Sequence, residues 1–410
     1  MIFDGNDNMD NELILYGGTY LNKGGAAIAQ GTFEVLKKLD IKFKVIIDPE
    51  PPLESLSNNF DLRLIYRYSD SLCSNEMPSI SPLYTFKPFL KCLINSHNKS
   101  IKELKGMPIW HIGDSPFSDQ RSYLSVVGQV IALNTLRSAI GGQVIIGGIS
   151  LDYPRTKIGK LALKNLFRNK VEYTFTRGQY TNKHLKDLGV PDEKMAAICD
   201  FAFHLEKTET KNSQIVSECI NQLEGPSAAL IFREYASGED RENYIQNIKS
   251  LTSKLEDKGY NVFFVPTAYA YLIPENDQIF ISKMLNVDPK KVINIKDLTP
   301  GEIISVFNNF DVVISARLHG AVYGTLAHVP TIHLYEGYKS LEVITDVFGD
   351  VVPLIKLSDF TNNSGLVKIL EILDETNKEE VSLKIKSCIK KARARSIPVL
   401  KENLNKLLGV

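Results

Sequence analysis

At 410 residues, with 43% hydrophobic and 23% charged side chains, the chain is large enough for two domains with cores of their own and too ordinary in composition for a disordered or fibrous protein. Lys plus Arg and Asp plus Glu each total 48, so the net charge is zero and no overall field favours nucleic acid. Any anionic ligand must be caught at a local site. The five cysteines (Cys73, Cys92, Cys199, Cys219 and Cys388) are scattered, with no Cys-x-x-Cys pair and no His at metal-ligand spacing, which predicts reduced thiols in a cytoplasmic protein. An acidic, polar start and the lack of any apolar run of about 20 residues predict neither a signal peptide nor a transmembrane segment. Peripheral membrane contact is then left to a basic helix near the C-terminus.

Short β-rich apolar runs alternate with longer helical patterns along the whole chain, the mark of βαβ units and parallel sheets, so the predicted class is α/β. In the first half, strands are predicted at residues 13–16, 43–47, 62–66, 109–112, 144–146, 173–176 and 196–198, with amphipathic helices at 26–39 and 122–140. The polar stretch KTETKN, 207–212, marks a boundary near residue 210, and a helix is predicted at 215–223. A second set of strands opens with AALIF at 228 and continues at 262–265, 292–295, 312–315 and 331–334. The expected organisation is two Rossmann-like domains, 1–210 and 211–378, and a helical segment, 379–410, in which Pro398 should break or kink the helix. Within that segment KIKSCIKKARAR places cations and apolar residues at helical spacing and reads as a solvated face. In LTPGEIISVFNNF, Thr299 and Glu302 form a capping box with Pro300 at the first helical position, a structural signal.

The segment VVISARLHGAVYGTLAHVPTIHLYE, 312–336, puts Arg317 and His319 just past the carboxyl end of a strand and at the start of a helix, where ligands bind in open α/β sheets. A helix N-terminus attracts anions, and an Arg fork matches phosphate or carboxylate bidentately. The combination describes an anion site beside a titratable His. On spacing alone, pairing of Arg317 with Asp311 or another carboxylate, and capping by His319, account for these residues equally well. Arg233, after AALIF, and His111 and Asp114, in WHIGDS, also stand at strand ends. His328 and His333 fall within apolar periodicity and read as core or helix-end residues. No P-loop, GxSxG, HExxH or glycosidase-like carboxylate pair occurs, which argues against hydrolases and NTPases of those kinds.

The run from Asp311 through Ser315 to Arg317, Leu318 and His319, followed by small residues, Pro330 and Lys339, resembles the C-terminal signature of the polysaccharide pyruvyl transferase family. GGTYLNKGGAAIAQG, 17–31, is similar to that family's opening strand, glycine-rich turn and helix. VIIGGIS, ending at Ser150, and YTFTRGQYTNKHLKDLGV, containing Arg177, resemble its middle segments, and ICDFAF, with Asp200, resembles an Asp-Pro-Ala-Phe element. The chain departs from the family pattern at Gly25 and Gly178, where Asp is common, and at Phe201, in the proline position.

The resemblance implies a GT-B-like pair of Rossmann-like domains facing across a cleft, the first on the acceptor side and the second on the donor side. It implies transfer of pyruvate from phosphoenolpyruvate to a sugar or lipid-linked glycan as a ketal. His319 is the expected general acid, and Arg177, Arg317, Leu318 and Arg233 the expected donor-binding residues. His111, Asp114, Ser150 and Lys339 are candidate acceptor or cleft residues. No cofactor or metal is expected, because phosphate leaves as a stable anion. A GT-B glycosyltransferase using a nucleotide sugar, with Glu336 on ribose hydroxyls, is the alternative, and a non-catalytic glycan- or anion-binding protein is a third reading.

Overall fold

The computed structural model describes residues 12–17, 22–46, 104–113, 117, 123–235, 239–269 and 276–409. The strand expected at 62–66, Asp114, Cys73 and Cys92 lie outside them. The first half alternates β1 (Glu12–Tyr16), α1 (Lys23–Lys38), β2 (Lys42–Ile46), β3 (Ile109–Ile112), α2 (Tyr123–Ile140), β4 (Val144–Ile149), α3 (Lys157–Asn169), β5 (Tyr173–Thr176), α4 (Gln179–Asp187) and β6 (Met195–Ala197). The six strands form one parallel sheet in the order β2-β1-β3-β4-β5-β6.

After α5 (Lys211–Asn221) the pattern restarts with β7 (Ser227–Ile231), α6 (Glu239–Asp257), β8 (Asn261–Phe264), α7 (Pro300–Phe307), β9 (Val312–Ser315), α8 (Leu318–Leu326), β10 (Thr331–Tyr335), α9 (Tyr338–Phe348) and β11 (Leu354–Lys356). This sheet is parallel too, in the order β11-β10-β9-β7-β8. Strand order reverses between β1 and β3 in one sheet and between β7 and β9 in the other, and such switch points are where crevices open.

Two expectations are corrected. Residues 292–295 make only an isolated bridge from Val292 to Phe264, because Asn294 Oδ1 accepts the Lys296 N–H at 2.9 Å and turns the backbone off the sheet edge. The last helix, α10 (Lys378–Leu408), runs through Pro398 without a break. Ala394, whose carbonyl loses its partner there, is exposed along with Pro398, so water satisfies that group.

Helix α10 also ties the halves together. Its Ile385, Ile389 and Ala392 pack in a core built mainly from the second sheet and α8, whereas Leu400 and Leu404 pack beneath the first sheet with Leu15, Phe33 and Trp110. The core around α8 includes Ala27 of α1 and Ala202 and Phe203 of the turn Phe201–His204, so apolar packing is continuous across the halves. Close approach demands glycine here: a Cβ on Gly31 would collide with the Phe201 carbonyl. Phe201, in the family's proline position, fills the space between the edge of Trp110 and Gly148, whose positive φ of 66° and missing side chain admit the ring.

Candidate functional site

The amino-terminal end of α1 is plugged into the second half. The Lys23 ammonium is buried and donates to the Lys296 and Leu298 carbonyls at 2.5 and 3.2 Å, its backbone N–H donates to Thr267 O at 2.9 Å, and Tyr323 Oη donates to Lys23 O at 2.7 Å. These bonds fix Gly24, whose N–H is capped by Asn22 Oδ1 at 3.0 Å, directly against the imidazole of His319. Any side chain at Gly24 would strike that ring.

His319 occupies the first turn of α8, where the N–H groups have no intrahelical acceptor. Gly320 and Gly324 let α8 lie close on the sheet: side chains there would meet Ser315 and Ile231, and Thr331 and Val313. On the other side of the imidazole, Nε2 is 3.7 Å from Asp200 Oδ2 of the first half. That nitrogen is buried and has no partner within hydrogen-bond distance, while Nδ1 is the ring atom against Gly24.

Behind Asp200 stands Arg177, and here the sequence expectation is corrected. Its guanidinium is completely buried, donating to Asp200 Oδ2 at 2.7 Å and to Ser150 Oγ at 2.9 Å. It supports the carboxylate rather than facing the cleft, because the turn following β6 folds over it. Ser150 is likewise a buried support. Burial pushes the Asp200 carboxyl up, but the Arg177 charge, His319 and the Ala202 N–H at 2.9 Å together outweigh it and hold the group well below the usual carboxylate range.

Arg317 precedes α8 and is held by a residue that the sequence reading missed. Asp277 is fully buried and its Oδ1 accepts from Arg317 Nε and Nη2 at 3.0 and 2.5 Å. Its Oδ2 accepts from the N–H groups of Thr267 and Ala268, both at 3.0 Å, and from Thr267 Oγ1 at 3.2 Å. Asp277 lies 40 residues upstream in a connection with no periodic signal, so nothing in the sequence linked it to Arg317. Because Asp277 takes the Nε side of the guanidinium, the Nη1–Nη2 fork points away from it, and the side chain keeps 19% of its exposure.

Arg233, at the end of β7, pairs with Glu336 at the end of β10, and both remain accessible. Lys339 is half-buried in the first turn of α9. Leu318 is buried in the core around α8 and has apolar contacts only to offer. His111 is buried on β3, where burial pushes its imidazole down to about 4; it is neutral at pH 7 and packs edge-on to Tyr16. Of the four cleft candidates, His111 and Ser150 are buried in the first half and Asp114 lies outside the described residues.

A second junction lies beyond Arg177. The Glu342 carboxylate of α9 is buried and accepts from Thr181 N at 2.8 Å and Thr181 Oγ1 at 2.9 Å, while Tyr180 and Tyr338 stack 4.5 Å apart. Gly178, where Asp is common in the family pattern, is required here: a side chain would collide with Glu342. A separate pocket, lined by Tyr260, Thr331, Pro353 and the ion pair Lys378–Asp311, lies at the opposite, amino-terminal edge of the second sheet, away from the strand ends where polar groups converge. Among the described residues, no group of three or more His, Cys, Asp or Glu side chains could hold a metal ion. Cys199, Cys219 and Cys388 form no disulfide. No described helix is long and apolar enough to cross a membrane.

A family model described as polysaccharide pyruvyl transferase matches residues 22–338, about three quarters of the chain. No curated protein matches significantly. Solved structures with the same GT-B fold include Anabaena Alr3699/HepE in complex with UDP-glucose (10% identity, TM-score 0.58, covering 97% of this chain and 99% of that one). Two others are the UDP-GlcNAc 2-epimerase from Methanocaldococcus jannaschii (14%, 0.56, 90% and 93%) and a sucrose-phosphate synthase from Thermosynechococcus elongatus (13%, 0.57, 98% and 98%). At these identities the likeness is one of fold.

Proposed function

Since the chain belongs to the polysaccharide pyruvyl transferase family, we propose that it transfers pyruvate from phosphoenolpyruvate to two hydroxyls of one sugar in a cell-surface polysaccharide or its precursor. The observation that carries the reading is the meeting, at the β7/β9 switch point, of the open Arg317 fork, the α8 amino terminus and the His319 imidazole.

In this reading the donor phosphate lies at the start of α8, where free N–H groups and the helix dipole favour an anion. The Nη1–Nη2 edge of Arg317 takes an oxyanion pair bidentately, each charge-assisted bond contributing about 1.5–3 kcal/mol. Arg233 and Lys339 supply the remaining positive charge for the carboxylate. His319 gives a proton to the methylene carbon of the enol while a sugar hydroxyl adds to the adjacent carbon, and the hydroxyl proton passes back to the neutral imidazole. A second hydroxyl of the same sugar then displaces phosphate, closing the cyclic ketal, and its proton leaves on the inorganic phosphate as hydrogen phosphate. Asp200 faces the imidazolium across 3.7 Å and steadies its charge before the proton leaves. No cofactor enters this scheme, and the reading places the enzyme in the cytoplasm.

The nucleotide-sugar reading keeps one observation in its favour: Glu336 stands exposed at a strand end in a fold shared with Anabaena HepE, solved with UDP-glucose. Thermal shift separates the two. A ligand at 100 times its dissociation constant adds about 2.7 kcal/mol of stability, so phosphoenolpyruvate should raise the melting temperature and UDP-sugars should not. The reverse result overturns the proposal.

A further inference from the structure

The C-terminal basic helix, the sequence's candidate for membrane contact, spends much of its charge internally: Lys384 pairs with Glu380, Arg393 with Glu206 and Arg395 with Asp346. Helix α3 of the first half is different. Between Tyr153 and Val171 the sequence carries six cations and no carboxylate. Leu163, Leu166 and Phe167 turn into the core, which leaves the opposite side of the helix to Lys157, Ile158, Lys160, Leu161, Lys164 and Arg168. At 100° per residue these six fall on one contiguous arc. Ile158 is 56% and Leu161 69% exposed, far more than large apolar side chains keep without a reason when they stand together on one ridge.

We propose that this face of α3 docks on an anionic phospholipid surface, Ile158 and Leu161 entering the acyl boundary and the lysines and Arg168 lying against the headgroups. An apolar ridge flanked by cations, on a helix that itself carries no carboxylate, is the pattern that holds a helix in the plane of such an interface. The charge pattern also argues against self-association, since two copies of this face would oppose cation to cation. The placement matters for function. Helix α3 returns antiparallel to β4, so its amino terminus, with Ile158 and Leu161, lies on the edge of the first sheet that faces His319. Docked this way, the protein holds the acceptor half of its cleft beside the bilayer, which points to a lipid-linked glycan as the acceptor. That last step rests on the pyruvyl-transfer reading; membrane binding does not.

Sedimentation of the full chain with vesicles tests it. The protein should bind phosphatidylcholine vesicles containing about one third phosphatidylglycerol, should ignore pure phosphatidylcholine, and should dissociate as salt is raised. Ile158→Asp with Leu161→Asp, and separately Lys157→Glu with Lys164→Glu, should each weaken binding at least tenfold. Both pairs are exposed, so melting temperature and the response to phosphoenolpyruvate should stay unchanged. Absence of binding by the parent, or equal binding by both variants, overturns the proposal. A parent dimer that the apolar variant dissociates, with no vesicle binding, assigns the face to a second copy instead. If phosphoenolpyruvate fails to bind while vesicles do, the functional reading falls and the docking surface stands.

Discussion

Arg177 and Arg317 share a local setting at the carboxyl ends of strands: each follows a four-residue strand, each precedes a helix, and each pairs with a carboxylate that is itself fully buried. The Arg177 side chain has no exposure, whereas Arg317 keeps 19%. The difference comes from what the chain does next. After β6 it turns at Asp200–His204, wedges between α1 and the second half, and closes over Arg177. Among the described residues, no comparable turn closes over Arg317. A strand-end arginine can thus serve as a ligand or a strut according to the segment that crosses it; Arg177 is buried as a strut, and in the proposed reaction Arg317 is the ligand.

If the first edge is sealed, its titratable groups should resist protons that an unfolded chain accepts. His111 and, beneath the second edge, His333 are fully buried and pushed down to about 4, against about 6.5 when unfolded. As pH falls, the unfolded state binds these protons first. Their contribution to stability is therefore whole above pH 6.5 and lost by pH 4, roughly 7 kcal/mol between them. Circular dichroism melts should show the melting temperature dropping steadily from pH 7 to pH 5, and a flat profile would mean that the rings are not sealed.

The strut itself comes next in size. Arg177→Met leaves the Asp200 charge buried without its main partner, which should cost about 3–5 kcal/mol of stability in urea unfolding. A loss below about 1 kcal/mol would put Arg177 in water and erase its contrast with Arg317.

At the open edge the expected changes are in chemistry. His319→Ala should fold normally and keep its thermal response to phosphoenolpyruvate while turnover falls roughly 10²- to 10⁴-fold, the usual yield of a positioned acid. Near-parental turnover would move the proton donor elsewhere. Arg317→Lys keeps the charge and loses the planar fork, so stability should change by less than about 1 kcal/mol while phosphoenolpyruvate binding, measured by calorimetry, weakens about tenfold or more. Unchanged affinity would make Arg317 a second strut.

Periodicity alone established much of this protein. The alternation of apolar runs and amphipathic stretches predicted the α/β class, and the strands at 109–112, 173–176 and 312–315 have the predicted bounds, because a strand buried on both faces must read as a short continuous apolar run. The capping box at Thr299 and Glu302 is present as predicted, since its bonds span three residues and depend on nothing distant. The Arg317–His319 run was legible for the same reason: strand, turn and helix start are contiguous. What the sequence could not decide is every contact between distant segments. Asp277 under Arg317, Glu342 over Gly178, Gly24 against His319 and the burial of Arg177 each join residues 23 to 295 positions apart. No local pattern encodes such pairs, because the groups are brought together only when both sheets have formed and the apolar core around α8 has closed between them.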